Sequence, residues 1–223
     1  MKRFISLAVG LSVIAASLTG CTTASSVLPN THVTVAEVGA LTTLNSDVAE
    51  ASSNKIASDI AALTMQSFYE ISKDGSLTAN EKFGTVAVTK QEPFTVAYTL
   101  AKTAVWSDGS SVDATDLALA VTAAKLEGFG SIHFGSSLSN ATIVGSPKPG
   151  STELVITYPN PIADWRTALK VSAPAHVVGK VAGLSGNVAT IRASVLAAIA
   201  SKDEVQLTKL GAAYASAFTA TAD

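Results

Sequence analysis

Cysteine, histidine and charged side chains are all scarce in this chain of 223 residues. It has one Cys and three His, and charged residues make up 14% of it. One Cys excludes a disulfide framework and any metal site that needs several thiolates. The formal net charge of −2 provides no basic surface of the kind that nucleic acids require. Since 48% of the residues are apolar, the composition predicts a globular domain with a substantial core.

Sequence motifs for catalysis and cofactor binding are also missing. The three His are widely spaced, which favours satisfied or surface imidazoles over zinc ligands. Gly128–Gly130 lacks the third glycine of a dinucleotide fingerprint, and Gly183–Gly186 misses the nucleophile-elbow spacing by one residue. Asp113 and Asp116 could form an acid–base pair, but helix capping accounts for both more simply. The sequence therefore predicts a protein that is not an enzyme and uses no metal or other cofactor.

The N-terminal segment has the pattern of an export signal. Lys2 and Arg3 precede an uncharged apolar run, Phe4–Ala16, which is too short to span a bilayer stably. The run leads to Leu18–Cys21, in which the only Cys follows Leu-Thr-Gly, and this tetrad resembles the lipobox of bacterial lipoproteins. That resemblance implies that residues 1–20 are a signal peptide. It also implies that the thiol of Cys21 carries acyl chains such as palmitate on a diacylglycerol.

Two other interpretations of this segment stay open: an ordinary cleaved signal with an incidental Cys, and an uncleaved anchor helix. If the lipobox is real, two acyl chains give stable membrane attachment where one would not. Residues 21–31 are then a polar tether, and residues 32–223 lie at the extracytoplasmic face of the cell membrane.

Alternating and helical hydrophobic patterns predict an α/β fold, of the α+β type with a mixed sheet. Strands are predicted at His32–Val38, Phe68–Ile71, Phe83–Lys90, Phe94–Leu100, Ala141–Gly145 and Glu153–Tyr158. Helices are predicted at Asn54–Met65, Asp113–Leu126, Ile162–Leu169, Asn187–Ser201 and Glu204–Phe218.

The most informative internal segment is Tyr98–Leu117, YTLAKTAVWSDGSSVDATDL. It predicts a strand that ends in Trp106, and Asp108 and Gly109 then form a tight turn because glycine accepts a positive φ. Asp113 is placed to cap the helix that follows. Trp106 is predicted to be a largely buried packing anchor beside the turn.

This segment resembles the signature of the family 5 extracytoplasmic solute-binding proteins, the oligopeptide, dipeptide and nickel-type receptors of ABC importers. Four other segments resemble the same family: Ser67–Leu77, Asn80–Gly84, Pro161–Trp165 and the P-A-H-V-V step within Ala173–Val178. The resemblance implies a periplasmic-binding-protein-like type II fold. It implies a peptide or other small solute as ligand, ABC permease subunits as partners, and no chemical change to the ligand.

Members of the family run considerably longer and continue through a G-P-Y segment into a second lobe. We therefore expect residues 32–223 to be an incomplete first lobe with the second lobe absent. Its ligand groove should be open on one side and bind weakly. The alternative is a truncated remnant or a lipid-anchored interaction domain without a transport-competent cleft.

The resemblance also implies where a ligand lies, because family ligands follow the stretch after the first strand. The corresponding residues here are Glu37, Val38, Gly39, Ala40 and Leu41. Main-chain hydrogen bonds can hold an extended peptide there without reading its side chains, and Gly39 would allow a close approach. The alternatives are that Gly39 only turns the chain and that Glu37 is a solvated strand carboxylate rather than the partner of a ligand amine.

The lipobox leads to a prediction about membrane attachment. Cys21→Ser removes the thiol that would be acylated, so the protein should leave the membrane fraction, as measured by fractionation and immunoblotting. Wild-type protein should stay bound in high salt, because acyl chains rather than surface charge hold it. An unmodified Cys21 found by mass spectrometry in membrane-bound protein would contradict the prediction.

Overall fold

The structure is a computed structural model that describes residue 34 and residues 36–220. Residues Val38–Asp223 make up one unit of the chain. The predicted signal peptide, Cys21 and most of the predicted strand His32–Val38 lie outside the described residues. The described end of that strand, residues 36–38, is not in β-structure.

Helices and strands alternate irregularly along the described chain. The helices are α1 (Ala49–Ser52), α2 (Lys55–Thr64), α3 (Ala114–Lys125), α4 (Ala175–Val181), α5 (Val188–Ser201) and α6 (Glu204–Ser216). The strands are β1 (Tyr69–Ile71), β2 (Leu77–Ala79), β3 (Gly84–Gln91), β4 (Phe94–Leu100), β5 (Thr142–Ile143) and β6 (Glu153–Tyr158). None of the helices in the described part of the chain is long and apolar enough to cross a membrane.

The strands form two sheets, a β1–β2 hairpin and a four-stranded sheet in the order β3-β4-β6-β5. The predicted strands Phe83–Lys90 and Phe94–Leu100 are present as β3 and β4, and they form a hairpin with Gln91 opposite Phe94 at its turn. Every strand pair in the described sheets is antiparallel, so the parallel pairs implied by a mixed sheet do not occur there. The predicted α/β fold is confirmed, with antiparallel sheets.

Helix α3 lies between two apolar cores, and every residue from Ala114 to Ala124 is buried. Leu117 and Val121 face the sheet core, which includes Tyr98 and Ile156. The opposite side of α3 faces the helical core, made largely by α4, α5 and α6 and containing Leu119, Ala123, Val178, Val195 and Leu210. The many alanines of α3 allow neighbouring elements to pack closely around the whole helix.

The predicted helix Ile162–Leu169 is wrong: the segment forms consecutive turns. The hydroxyl of Tyr98 donates a 2.7 Å hydrogen bond to the carbonyl of Trp165, which a continuing helix would use internally. Three short elements were not predicted: α1, β2 and α4. Strand β2 is fully exposed and so has no hydrophobic alternation, and α4 begins within the P-A-H-V-V step directly after Pro174.

The last described residues pair with the segment that precedes α1. The N–H of Leu44 donates to the carbonyl of Phe218 at 2.9 Å, and the N–H of Ala220 donates to Thr42 at 2.8 Å. This pairing places the end of α6 beside the start of the folded unit.

The contact between α4 and α5 leads to a prediction for Gly179. A Cβ atom at this position would lie 2.5 Å from Cγ2 of Ile191 and 3.1 Å from Cγ2 of Val195. Gly179→Ala should therefore lower the free energy of unfolding by about 1–3 kcal/mol through overpacking, as measured by urea unfolding followed by circular dichroism.

Gly128→Ala is the matched control. Gly128 lies in the 3-10 helix Glu127–Phe129, and nothing lies within 4 Å of a Cβ built there. This variant should unfold within about 0.5 kcal/mol of wild type. Equal stabilities for the two variants would contradict the packing described for α4 and α5.

Candidate functional site

The carboxylate of Asp116 joins the two sequence motifs that point to a known family. Its Oδ1 accepts the N–H of Ala175 at 2.7 Å, which is the start of the P-A-H-V-V helix. Its Oδ2 accepts the indole Nε1–H of Trp106 at 3.2 Å and the N–H of Asp113 at 2.9 Å. One buried side chain in the first turn of α3 therefore fixes the W-S-D-G turn and the start of α4 together.

Arg192 of α5 completes this arrangement, and we call Asp113, Asp116 and Arg192 the buried Asp–Arg cluster. Its guanidinium nitrogens lie 3.1 Å from Oδ2 of Asp113 and 3.5 Å from Oδ2 of Asp116, and one also donates to the carbonyl of Ser111 at 2.6 Å. All three cluster side chains are almost completely buried. Asp113 is the N-cap of α3, where its Oδ1 accepts the N–H of Thr115 at 2.8 Å.

Burial raises the pKa of Asp116 to about 6. The N–H groups of Ala175 and Asp113 and the charge of Arg192 oppose that rise, because each of them stabilises the ionised form. All four groups placed against its oxygens are donors, so the cluster is built around an ionised carboxylate.

The W-S-D-G turn makes a second contact with the P-A-H-V-V step. Nε2 of His176 lies 2.7 Å from Oδ2 of Asp108, and Oδ1 of Asp108 accepts the N–H and the hydroxyl of Ser110 at 2.9 and 2.7 Å. These donors, Ser110 first and then His176, lower the pKa of Asp108 to about 2. Gly109 has a φ of +82°, which the turn requires and which favours glycine.

Ser110, His176 and Asp108 do not form a catalytic triad. In a triad the acid and the hydroxyl face different ring nitrogens of the histidine. Here Asp108 and Ser110 both face Nε2, while Nδ1 is buried without a hydrogen-bond partner among the described residues. The arrangement can position side chains, but it cannot activate the hydroxyl of Ser110 as a nucleophile.

A pocket of about 480 Å³ opens beside this turn. Trp106 is half-buried rather than largely buried, because its ring packs on the sheet core and also lines the pocket. The wall is mainly apolar and comes from distant segments: Leu44, Ile60, Met65, Phe83, Val105, Val112, Val171, Pro174, Val177 and Phe218. The volume is within the range of ligand sites.

The stretch Val38–Leu41 is not part of the pocket lining. Val38, Gly39 and Ala40 are exposed, whereas Leu41 packs against the helical core. Gly39 has a φ of +143° and lies against Ile56 of α2, where a Cβ would be 3.1 Å from the Ile56 Cδ1. The side chain of Glu37 is exposed to solvent. That these residues contact a ligand stays a prediction.

Sequence reasoning assigned no partner to His176 and did not single out Arg192, although both hold the site together. His176 was interpreted as a satisfied or surface imidazole, and it is buried with only 6% of its surface exposed. Arg192 is the only charged residue of α5, and a single cation in such an apolar helix is the signal that would have indicated a buried partner.

Comparison with solved structures gives the class of fold. The periplasmic EDTA-binding protein EppA matches this chain with a TM-score of 0.55 and 20% identity. The match covers 70% of this chain and 29% of EppA. The fold is therefore that of part of a periplasmic binding protein.

Comparison with the sequences of known proteins identifies relatives of part of this chain. The oligopeptide-binding proteins OppA of Mycobacterium tuberculosis and Mycobacterium bovis are 32% identical to this chain over 114 residues. The match covers 48% of this chain and 19% of OppA, and no family model matches. About half of the chain is homologous to OppA, which confirms the relationship to the family 5 solute-binding proteins for part of the chain.

The buried Asp–Arg cluster leads to a prediction for Arg192. Arg192→Ala leaves Asp113 and Asp116 without their cation, so the free energy of unfolding should fall by about 3–5 kcal/mol at pH 7.5. The loss should be smaller at pH 5. An uncompensated buried carboxylate has a raised pKa in the folded state, so the folded protein gains stability as the pH falls through that value.

Arg166→Ala is the control, because Arg166 is exposed and stacks over the ring of Trp165 at 4.2 Å. This variant should lose less than about 1 kcal/mol at either pH. Urea unfolding at both pH values measures both variants. A loss for Arg192→Ala as small as that of the control would contradict the role assigned to the cluster.

Proposed function

We propose that this chain is a solute-binding component of an ABC importer, that it binds peptides, and that it is held at the extracytoplasmic face of the cell membrane by lipid on Cys21. The observation that carries the proposal is the apolar pocket at the junction of the W-S-D-G turn and the P-A-H-V-V helix. These are the two motifs that the sequence shares with a family of binding proteins.

The chemistry of the pocket supports binding without reaction. Its wall is mainly apolar, and the Ser110–His176–Asp108 geometry does not suit nucleophilic catalysis. The homology to proteins named as oligopeptide-binding supports a peptide ligand. One apolar side chain of a peptide would fill the pocket and the rest of the peptide would lie outside it.

The exposed backbone of Val38–Ala40 is proposed as the second contact for such a peptide. It lies beside α2, since Gly39 meets Ile56 there, and α2 also contributes Ile60 and Thr64 to the pocket wall. An extended peptide that placed one side chain in the pocket could pair its main chain with this stretch.

The experiment is calorimetric titration of the protein with a library of short peptides, followed by a variant that fills the pocket. Thr64→Trp adds bulk to the wall at the end of α2, so the affinity for peptides that bind wild type should fall by about tenfold.

Ala62→Trp is the matched control, because Ala62 is exposed on the same helix and is not part of the pocket lining. It should bind peptides as wild type does. The proposal is wrong if no peptide binds to wild type, or if both variants bind peptides equally well.

A further inference from the structure

The sequence Asp-Gly-Ser occurs twice in this chain with the same local geometry. In both turns the aspartate Oδ1 accepts the N–H and the hydroxyl of the serine, at 3.0 and 2.7 Å from Ser76 and at 2.9 and 2.7 Å from Ser110. The glycine φ is +82° in each. The turns differ in their surroundings: Asp74 is an exposed residue of the β1–β2 hairpin, whereas Asp108 lines the pocket.

Asp108 gives the pocket its charge. Of the 18 described residues that line it, Asp108 is the only one with a charged side chain. No Lys or Arg stands among those described lining residues, and the ring nitrogen that contacts the carboxylate is Nε2 of His176, which is not itself part of the lining. The pocket therefore combines an apolar wall with a single negative charge.

The carboxylate of Asp108 keeps room for a further donor. A carboxylate offers about four acceptor positions, and the two groups of Ser110 and the Nε2 of His176 occupy three of them. The side chain is 50% exposed, so a ligand can reach it. The low pKa of Asp108 keeps the group ionised at any physiological pH.

We infer that the pocket selects an apolar group that carries a positive charge. The apolar part packs against Trp106 and Phe218, and the cation pairs with the carboxylate of Asp108. The face of the Trp106 ring also favours a cation over an anion. This inference rests on the proposed function and names the class of ligand at the same pocket.

Three small probes of similar shape test the inference: 2-phenylethylammonium, neutral 2-phenylethanol and anionic 3-phenylpropionate. Binding is followed by tryptophan fluorescence, because Trp106 lines the pocket and Trp165 does not. Trp106→Phe identifies the source of the signal. The ammonium probe should bind about two- to fivefold more tightly than the alcohol, and the carboxylate probe should bind more weakly than both.

Asp108→Asn removes the charge and retains an oxygen for Ser110, so the three probes should then bind equally. Asp74→Asn makes the same change in the matching exposed turn and should keep the wild-type preference. Thermal unfolding of both variants checks that they are folded. In 1 M salt the preference of the wild type should shrink, because the pair is partly exposed to solvent.

The possible failures are distinguishable. If wild type binds the three probes equally, the charge selection is wrong while the pocket remains a binding site. If no probe binds, including the alcohol, both the charge selection and the proposed function at this pocket are wrong. A preference that persists in Asp108→Asn also overturns the inference.

Two peptides distinguish the sources of the cation within a peptide ligand. One has a free α-amine and no Lys, and the other is N-acetylated and contains a Lys; both have amidated C-termini. Tighter binding of either one than of an N-acetylated, Lys-free peptide of similar size supports the inference and identifies the source. If neither binds more tightly than that neutral peptide, the inference fails for peptides.

Discussion

The contact of Arg192 with two aspartates is the constraint on which the rest of this structure depends. The guanidinium faces Asp113 and Asp116, and the carboxylates in turn hold the backbone N–H groups of Gly150 and Ala175. These contacts join segments that are far apart in sequence. Buried charges are costly unless they are paired, so the turn beside Trp106, the start of α4 and helix α5 must keep their relative positions for the cluster to stay satisfied.

The sequence predicted those elements whose signal is local. Asp113 was identified as a helix cap from its residue type and position, and its side chain accepts the expected backbone N–H group. Strands β3 and β4 followed from the alternation of apolar side chains. The segment Ile162–Leu169 has a helical pattern as well, but a hydrogen bond from distant Tyr98 stabilises turns there instead. No local pattern contains that information.

The pocket could not be predicted from the sequence either, because it also depends on tertiary contacts. The residues that line the pocket follow no regular spacing in the sequence; among them are Leu44, Ile60, Trp106, Val171 and Phe218. Only the tertiary fold brings them to one surface. The pairing of His176 with Asp108 is also a tertiary contact, although each residue had been noted within its own motif. Family resemblance located the motifs, and the structure added that they touch.

The burial of α3 from Ala114 to Ala124 has a consequence for how the protein moves. A helix with a solvent-facing side can fray or open by itself, but α3 has neighbours on every side and belongs to both the sheet core and the helical core. Its amide hydrogens can therefore reach solvent only when both cores come apart together. The sheet and the helices on either side of α3 consequently act as one cooperative unit, and slow exchange of the α3 amides reports the stability of the whole.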